Sequence, residues 1–278
     1  MKRLIFQVDV GKPSDLHSLE GGQSKLYAFC QESVAKYCEK YNIDHYILTE
    51  PVLKIKPDEG KSQRSEGALR LGYLPIYEKE HAFTFFDEYD QIAVVDSDIY
   101  IRDTAPNIFE EFDPEADFGG VVERDMPCTD TYYNKILGYS HSQYASLPTD
   151  HQPNQHGYEF FNMGLMVMNK SIVKYLHGLS PQEFISQPKF KPFVEGHGAW
   201  RWSTDQTLLN YWVRSEDMKL QRMNWKWNGL FKGIKDEAFK EAHFLHFFLK
   251  PNLPKGGEDV EMLQKIVDDT LTIKFEHR

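Results

Sequence analysis

The segment Gln91-Ile92-Ala93-Val94-Val95-Asp96-Ser97-Asp98 constrains the fold more than any other in the chain. Its apolar run is too short for a helix and is rich in β-branched residues, so residues 91–95 read as a buried strand ending at Asp96. Comparable runs at 4–10, 45–48, 118–122, 160–168 and 244–248 predict further strands. Helix-length segments lie between them. From Ser24 onward Leu26, Phe29, Val34, Tyr37 and Cys38 fall near helical spacing, and helices are also predicted at 74–86 and 203–213. Residues 259–273 place Val260, Leu263, Ile266, Val267 and Leu271 on one face of an amphipathic C-terminal helix. Short strands alternating with helices indicate an α/β fold. Residues 11–23 and 51–65 read as loops. Residues 125–157 are rich in Asp, Pro, Ser, Tyr and His with little periodicity, which predicts a long surface excursion.

Composition narrows the function. The 278 residues carry 32 Lys and Arg against 42 Asp and Glu, a net charge of −10. An acidic chain lacks the basic surface that nucleic-acid binding needs. No apolar run approaches the roughly 18 residues of a membrane span. Met1-Lys2-Arg3 leads into a short apolar stretch that ends at Asp9, so no secretory signal and no transmembrane segment is expected. The three cysteines, Cys30, Cys38 and Cys128, show no Cys-x-x-Cys spacing. Eight residues of helix set Cys30 and Cys38 about 12 Å apart, too far for a disulfide. A reducing, cytoplasmic location is expected.

Asp96 and Asp98 are two carboxylates, one residue apart, at a strand's carboxyl end. In open α/β sheets ligands bind at such ends. A carboxylate pair there can hold a hard divalent cation, and the cation can neutralise a diphosphate. Phe161-Asn162-Met163-Gly164 sets an Asn and a Gly inside an apolar strand, a sign of close approach by a ligand or backbone. Ser203-Thr204-Asp205-Gln206 opens a helix, and its plain reading is a cap with Gln206 at the capping-box position. His246 lies in an apolar strand with Lys250-Pro251 following; a histidine there can ligate a metal and the lysine can meet a phosphate. All five tryptophans fall between positions 200 and 227, where they serve either as core or as a platform for a sugar ring.

In this order the motifs resemble the family 8 retaining glycosyltransferases, whose fold is the nucleotide-sugar-binding GT-A fold and which include glycogenin and bacterial lipopolysaccharide galactosyltransferases. Their D-x-D, F-N-x-G, D-Q-x-x-L-N and H-F…K-P segments match Asp96-Ser97-Asp98, Phe161-Asn162-Met163-Gly164, Asp205-Gln206-Thr207-Leu208-Leu209-Asn210, and His246-Phe247 with Lys250-Pro251. The resemblance implies one catalytic domain over 1–278, with a mixed central sheet flanked by helices. Within it 1–100 would be the nucleotide-binding half, 101–250 the donor and acceptor half, and 257–278 a C-terminal helix. It implies transfer of a sugar from a nucleoside diphosphate, UDP above others, to a hydroxyl acceptor such as a glycan, with retention and with Mn²⁺ or Mg²⁺. Asp96, Asp98 and His246 would hold the metal. Val8, Asp9, Lys79, Asp96, Ser97, Asn162 and Lys250 would bind the nucleotide sugar, and Asp205 and Gln206 would be catalytic. His246 stands only four residues before Lys250, where the family has six, and His243 stands seven before it. Val8-Asp9-Val10-Gly11 also departs from the family's polar strand end. The acidic tail, with Glu258, Asp259, Glu261, Asp268 and Asp269, does not match the basic membrane-binding tail of some members.

Two other classes compete. A strand ending in D-x-D also opens the haloacid-dehalogenase-type phosphohydrolases, with Asp96 as nucleophile. That family places the motif near the N-terminus, with Thr or Val four after the first Asp, where this chain has Tyr100. A non-enzymatic sugar or nucleotide binder would not need Gln206 and both acids. Gly60-Lys61-Ser62 imitates the end of a P-loop, but the earlier Gly position holds Ile55.

Overall fold

A computed structural model describes residues 1–10, 24–58, 71–202, 205–248 and 250–268. Gly11, the Gly60-Lys61-Ser62 segment, Ser203 and Leu271 lie outside them. The chain runs through β1 (Arg3–Val8), α1 (Lys25–Tyr41), β2 (Asp44–Leu48), a 3-10 segment (Pro75–Asp87), β3 (Gln91–Val95), β4 (Ile99–Ile101), β5 (Phe118–Val122), α2 (Asp130–Tyr144), β6 (Phe161–Asn169), α3 (Asp205–Ser215), β7 (Leu220–Arg222), β8 (Gly229–Leu230), β9 (Phe244–His246) and α4 (Val260–Val267). Short helical turns join these elements. Among the described residues no helix is long and apolar enough to cross a membrane.

The central sheet is mixed, in the order β2-β1-β3-β6-β5-β7. β1 pairs parallel with β2 and β3, and β5 with β7, whereas β6 runs antiparallel to both β3 and β5. Side chains alternate between its faces, as strand geometry demands. Ile5, Ala93, Val95, Leu165 and Val167 pack with Leu26, Cys30, Val34 and Tyr37 of α1 on one face. Leu4, Phe6, Ile92, Val94, Met166 and Met168 pack with Tyr77, Phe86, Leu208 and Trp212 on the other. Each such large side chain, fully buried, contributes about 1.5–3 kcal/mol. Trp212 and Trp227 are core residues, 1% and 3% exposed.

The antiparallel run of β6 decides where the site forms. Val95 sits opposite Leu165 and Val122 opposite Phe161. The carboxyl ends of β1, β3 and β5 therefore meet the start of β6 at one end of the sheet. A small sheet, β4-β9-β8, caps that end, with Ile99 registered against His246.

Two elements differ from expectation. The predicted helix over 74–86 winds as a 3-10 segment entered at Pro75. Tyr77, Glu80, Phe83 and Phe86, spaced by three, are all buried, which is the period of a 3-10 turn. The expected excursion at 125–157 contains a fifteen-residue helix, α2, capped by the Thr129 hydroxyl accepting from the Tyr132 N–H. Its inward positions are Tyr132, Ile136, Ser140, Gln143 and Tyr144. Helical spacing is present there, but polar residues fill part of the stripe, so apolar periodicity does not reveal it.

Candidate functional site

Asp96 leaves the end of β3 with its N–H on the Gly164 carbonyl at 2.8 Å, and the Asp98 carbonyl accepts from the Phe247 N–H at 2.9 Å. The D-x-D turn is thereby fixed between β6 and the segment that carries His246. Ligand atoms of Asp96, Asp98 and His246 lie within 4.8 Å of one another. His246 Nε2 is 3.3 Å from Asp98 Oδ1 and 3.8 Å from Asp96 Oδ2. Its Nδ1 faces Asn228 Oδ1 at 2.9 Å. Burial would lower the His246 pKa, but Asp98 and Asp96 raise it by favouring a proton at Nε2; a cation held by the two carboxylates would take that proton's place, with Nδ1 donating to Asn228 as in a metal-binding histidine. Two carboxylates and an imidazole are ligands that divalent cations accept. The donor set thus fits a divalent cation. His243 packs its ring against Trp227, outside this cluster.

Gly164 shows why the sequence needs a glycine in β6. A Cβ built there would stand 2.3 Å from His246 Cε1 and 2.9 Å from Asn162 Oδ1. Only a bare backbone lets the imidazole lie this close.

Lys79 crosses the site from the 3-10 segment. Its ammonium contacts Asp96 Oδ1 at 2.6 Å, Asp205 Oδ2 at 2.9 Å and the Met163 carbonyl at 3.1 Å. All three of its donors are engaged. Burial would lower its pKa, but Asp205 and Asp96 raise it further, so it stays charged. Burial raises Asp96, helped by nearby Asp98 and Asp205 and opposed by Lys79 and His246. Burial also acts to raise Asp98, but His246, Lys250 and Lys79 hold it below the usual carboxylate range. Lys250 stands with its ammonium 3.5 Å from the centre of the Tyr27 ring. Burial lowers its pKa, opposed by Asp98 and Asp9.

The strand-end residues Val8 and Asp9 join the site through Ser97 and Gln31. Ser97 Oγ donates to the Val8 carbonyl at 2.8 Å, and Gln31 Nε2 donates to Asp9 Oδ2 at 3.0 Å. Asp205 begins α3, and Gln206 follows it. The Gln206 amide is held at both ends: Oε1 accepts from the Met163 N–H at 3.4 Å, and Nε2 donates to Glu123 Oε1 at 3.3 Å. Asn162 Nδ2 donates to the same Glu123 oxygen at 2.7 Å. The structure therefore gathers the predicted site residues at one end of the sheet, from six separate stretches of chain.

Sequence reasoning missed Tyr27, Gln31, Glu123 and Asn228. Glu123 could have been found, because it is an acid directly after a buried strand, as Asp96 is. Gln31 is a buried polar residue on an otherwise apolar helix face. Asn228 carries no signal of its own.

No family model matches the chain, and no curated protein matches it. Solved structures do. A glycosyltransferase involved in glycosylation of the major capsid of PBCV-1 superposes with a TM-score of 0.52 at 14% identity, over 95% of this chain and 100% of that one. The galactosyltransferase LgtC, solved with donor and acceptor sugar analogues, gives 0.54 at 13% identity, over 99% and 98%. A glutamine-to-glutamate active-site mutant of LgtC gives 0.52 at 13% identity, over 99% and 98%. The chain has the GT-A fold of these glycosyltransferases, a mixed sheet flanked by helices.

Proposed function

We propose that this protein is a metal-dependent glycosyltransferase that moves a sugar from a nucleoside diphosphate, UDP in the first instance, to a hydroxyl acceptor with retention of configuration. The Asp96-Asp98-His246 cluster at the carboxyl end of β3 is the observation that carries this reading. Asp9 and Asp205 stand beside the Asp96 and Asp98 carboxylates, with Lys79 and Lys250 as the fixed cations that face them among the described residues. Such a site repels a diphosphate unless a cation joins it. A bound Mn²⁺ or Mg²⁺ would offset the charge that builds on a departing nucleoside diphosphate.

The chain's own residues supply the rest. Lys79 has its donors saturated, so it orients Asp96 and Asp205 and lends charge without touching the donor. Lys250 is the cation left to meet phosphate oxygens. Val8 and Asp9, braced by Ser97 and Gln31, form the strand end where uridine would lie. Asn162 and Asp205 flank the place for the donor sugar. Gln206 presents a neutral amide beside them. An amide is a poor base and a poor nucleophile, and an inverting reaction needs a carboxylate base by the acceptor hydroxyl. Retention follows most simply if the acceptor attacks on the leaving group's side and a phosphate oxygen takes its proton. The active-site glutamine of LgtC supports the assignment of Gln206. The unpaired, buried thiols of Cys30, Cys38 and Cys128 suit the cytoplasm.

The test is a screen of nucleotide sugars for Mn²⁺-dependent hydrolysis, followed by NMR of the product's anomeric proton. UDP release from one sugar and an α linkage from an α-linked donor are expected. A β linkage would overturn retention. Phosphate release from a phosphomonoester, lost in Asp96→Asn, would overturn the transferase in favour of a phosphohydrolase.

A further inference from the structure

An unbroken chain of buried polar side chains joins His246 to Gln206. His246 Nδ1 meets Asn228 Oδ1 at 2.9 Å, and Asn228 Nδ2 donates to Asn162 Oδ1 at 2.9 Å. Asn162 Nδ2 donates to Glu123 Oε1 at 2.7 Å, and Gln206 Nε2 donates to that oxygen at 3.3 Å. Glu123, Asn162, Asn228 and His246 are 5%, 6%, 0% and 4% exposed. Water therefore does not reorient the links.

The direction of the chain is set around Asn162. Glu123 Oε1 accepts from both Asn162 and Gln206, which turns the Asn162 NH₂ to Glu123 and its oxygen away. The Gly164 N–H, 3.0 Å from Asn162 Oδ1, requires the same orientation independently. Asn228 must then offer its NH₂ to Asn162 and its oxygen to His246. His246 must in turn donate from Nδ1, which leaves Nε2 as the nitrogen that faces Asp98 and Asp96 and would take a cation. The same Glu123 oxygen holds the Gln206 NH₂, so the Gln206 oxygen stays on the Met163 N–H.

We propose that Glu123 is a positioning residue that sets two groups at once, the tautomer of His246 and the orientation of the Gln206 amide, and so couples cation binding to the sugar-facing side of the site. This rests on the metal-dependent reading above and adds a residue that touches neither metal nor donor. Outer partners of metal-binding histidines commonly change metal affinity by about 10–100-fold. Glu123 would act two hydrogen bonds farther out than such a partner.

The experiment measures Mn²⁺ binding to nucleotide-free protein by electron paramagnetic resonance of the free ion, with kcat measured alongside. Glu123→Leu removes the acceptor and should weaken Mn²⁺ about tenfold while kcat falls. Glu123→Gln keeps an acceptor oxygen of the same shape and should restore most of the Mn²⁺ affinity. Equal losses in both variants would mean that charge, not hydrogen-bond direction, matters, and would overturn the proposal. Asn228→Asp serves if Glu123→Leu fails to fold. Its carboxylate still accepts from His246 Nδ1 but cannot donate to Asn162, so Mn²⁺ affinity should hold while kcat drops. Loss of both, or of neither, would overturn the relay. Unchanged Mn²⁺ binding in Glu123→Leu would sink the relay alone, whereas a wild-type protein that binds no Mn²⁺ would sink the metal-dependent reading and the relay with it.

Discussion

The two ends of the central sheet both bury carboxylates, and they treat them in opposite ways. At the far end Asp117, 2% exposed, stands just before β5. Its oxygens accept from Ser171 Oγ at 2.6 Å, Tyr175 Oη at 2.8 Å, the Lys219 N–H at 3.0 Å and Lys174 Nζ at 3.2 Å. At the near end Asp96 and Asp98 lie close together, with the His246 imidazole facing both and Lys79 bridging Asp96 to Asp205. Asp96 lies above the ordinary carboxylate range, whereas Asp117 is held well below it. A carboxylate saturated with donors stabilises the fold. At the near end His246 and Lys250 hold Asp98 low, but burial and the acidic neighbours raise Asp96, and that carboxylate is a standing demand for a cation.

The largest effect that tests this contrast comes from Asp98→Ala. Turnover should fall by roughly 100-fold or more, since outer partners alone are worth 10–100-fold. The melting temperature should fall only slightly, because the contacts with His246 and Lys250 that hold Asp98 low are lost while the like-charge contact with Asp96 is relieved. A large loss of stability in the metal-free variant would show that the near end is structural after all.

Gln206→Ala comes next. If the amide acts mainly in the transition state, kcat should drop more than KM rises, by about 10–100-fold, with little change in melting. Steady-state kinetics on the donor found by the screen would decide it. A KM effect alone would reduce Gln206 to a binding group.

Gly164→Ala is the site change that should cost both function and stability. The added methyl meets an imidazole that cannot retreat, because Asn228 behind it is fully buried. Overpacking of this kind costs about 1–3 kcal/mol, a melting shift of about 2–5 °C in a chain of this length. Calorimetry should also show that Mn²⁺ no longer strengthens UDP binding. Wild-type-like titrations would mean that His246 does not need its present place.

The near end was largely legible in the sequence because its chemistry is carried by short local patterns. An acid after an apolar run, a glycine inside a strand and a polar helix start each leave a mark within a few residues. Glu123 follows the same rule and could have been read from it. What stayed hidden were the long-range contacts. Nothing local places Asn228 against His246, or Lys79 between Asp96 and Asp205, because both depend on strand order. The 3-10 winding of Pro75–Asp87 and the polar inward stripe of α2 were hidden for a related reason. Their periodicity exists, but it is not the apolar 3.6-residue one.

The far end offers the smallest effect and the cleanest sign. Burial alone would raise the Asp117 pKa, but the hydrogen bonds from Ser171, the Lys219 N–H, Tyr175 and Lys174 outweigh it and hold the carboxyl at about 2. The unfolded chain gives this group its ordinary value of about 3.9. Between these values the unfolded state binds a proton that the folded state refuses, so stability falls as the pH drops through the interval. Its contribution is complete above about pH 4 and gone below about pH 2, and a shift of this size is worth about 2 kcal/mol. Asp117→Asn removes the titrating group while keeping its shape. The variant should be less stable than wild type at pH 6, and the gap should narrow as the pH approaches 2. Urea melts at pH 6, 4 and 3 would measure it. Parallel curves, with a gap that does not change with pH, would show that the four donors fix the shape of this corner without favouring its charge, and the contrast between the two ends of the sheet would be lost.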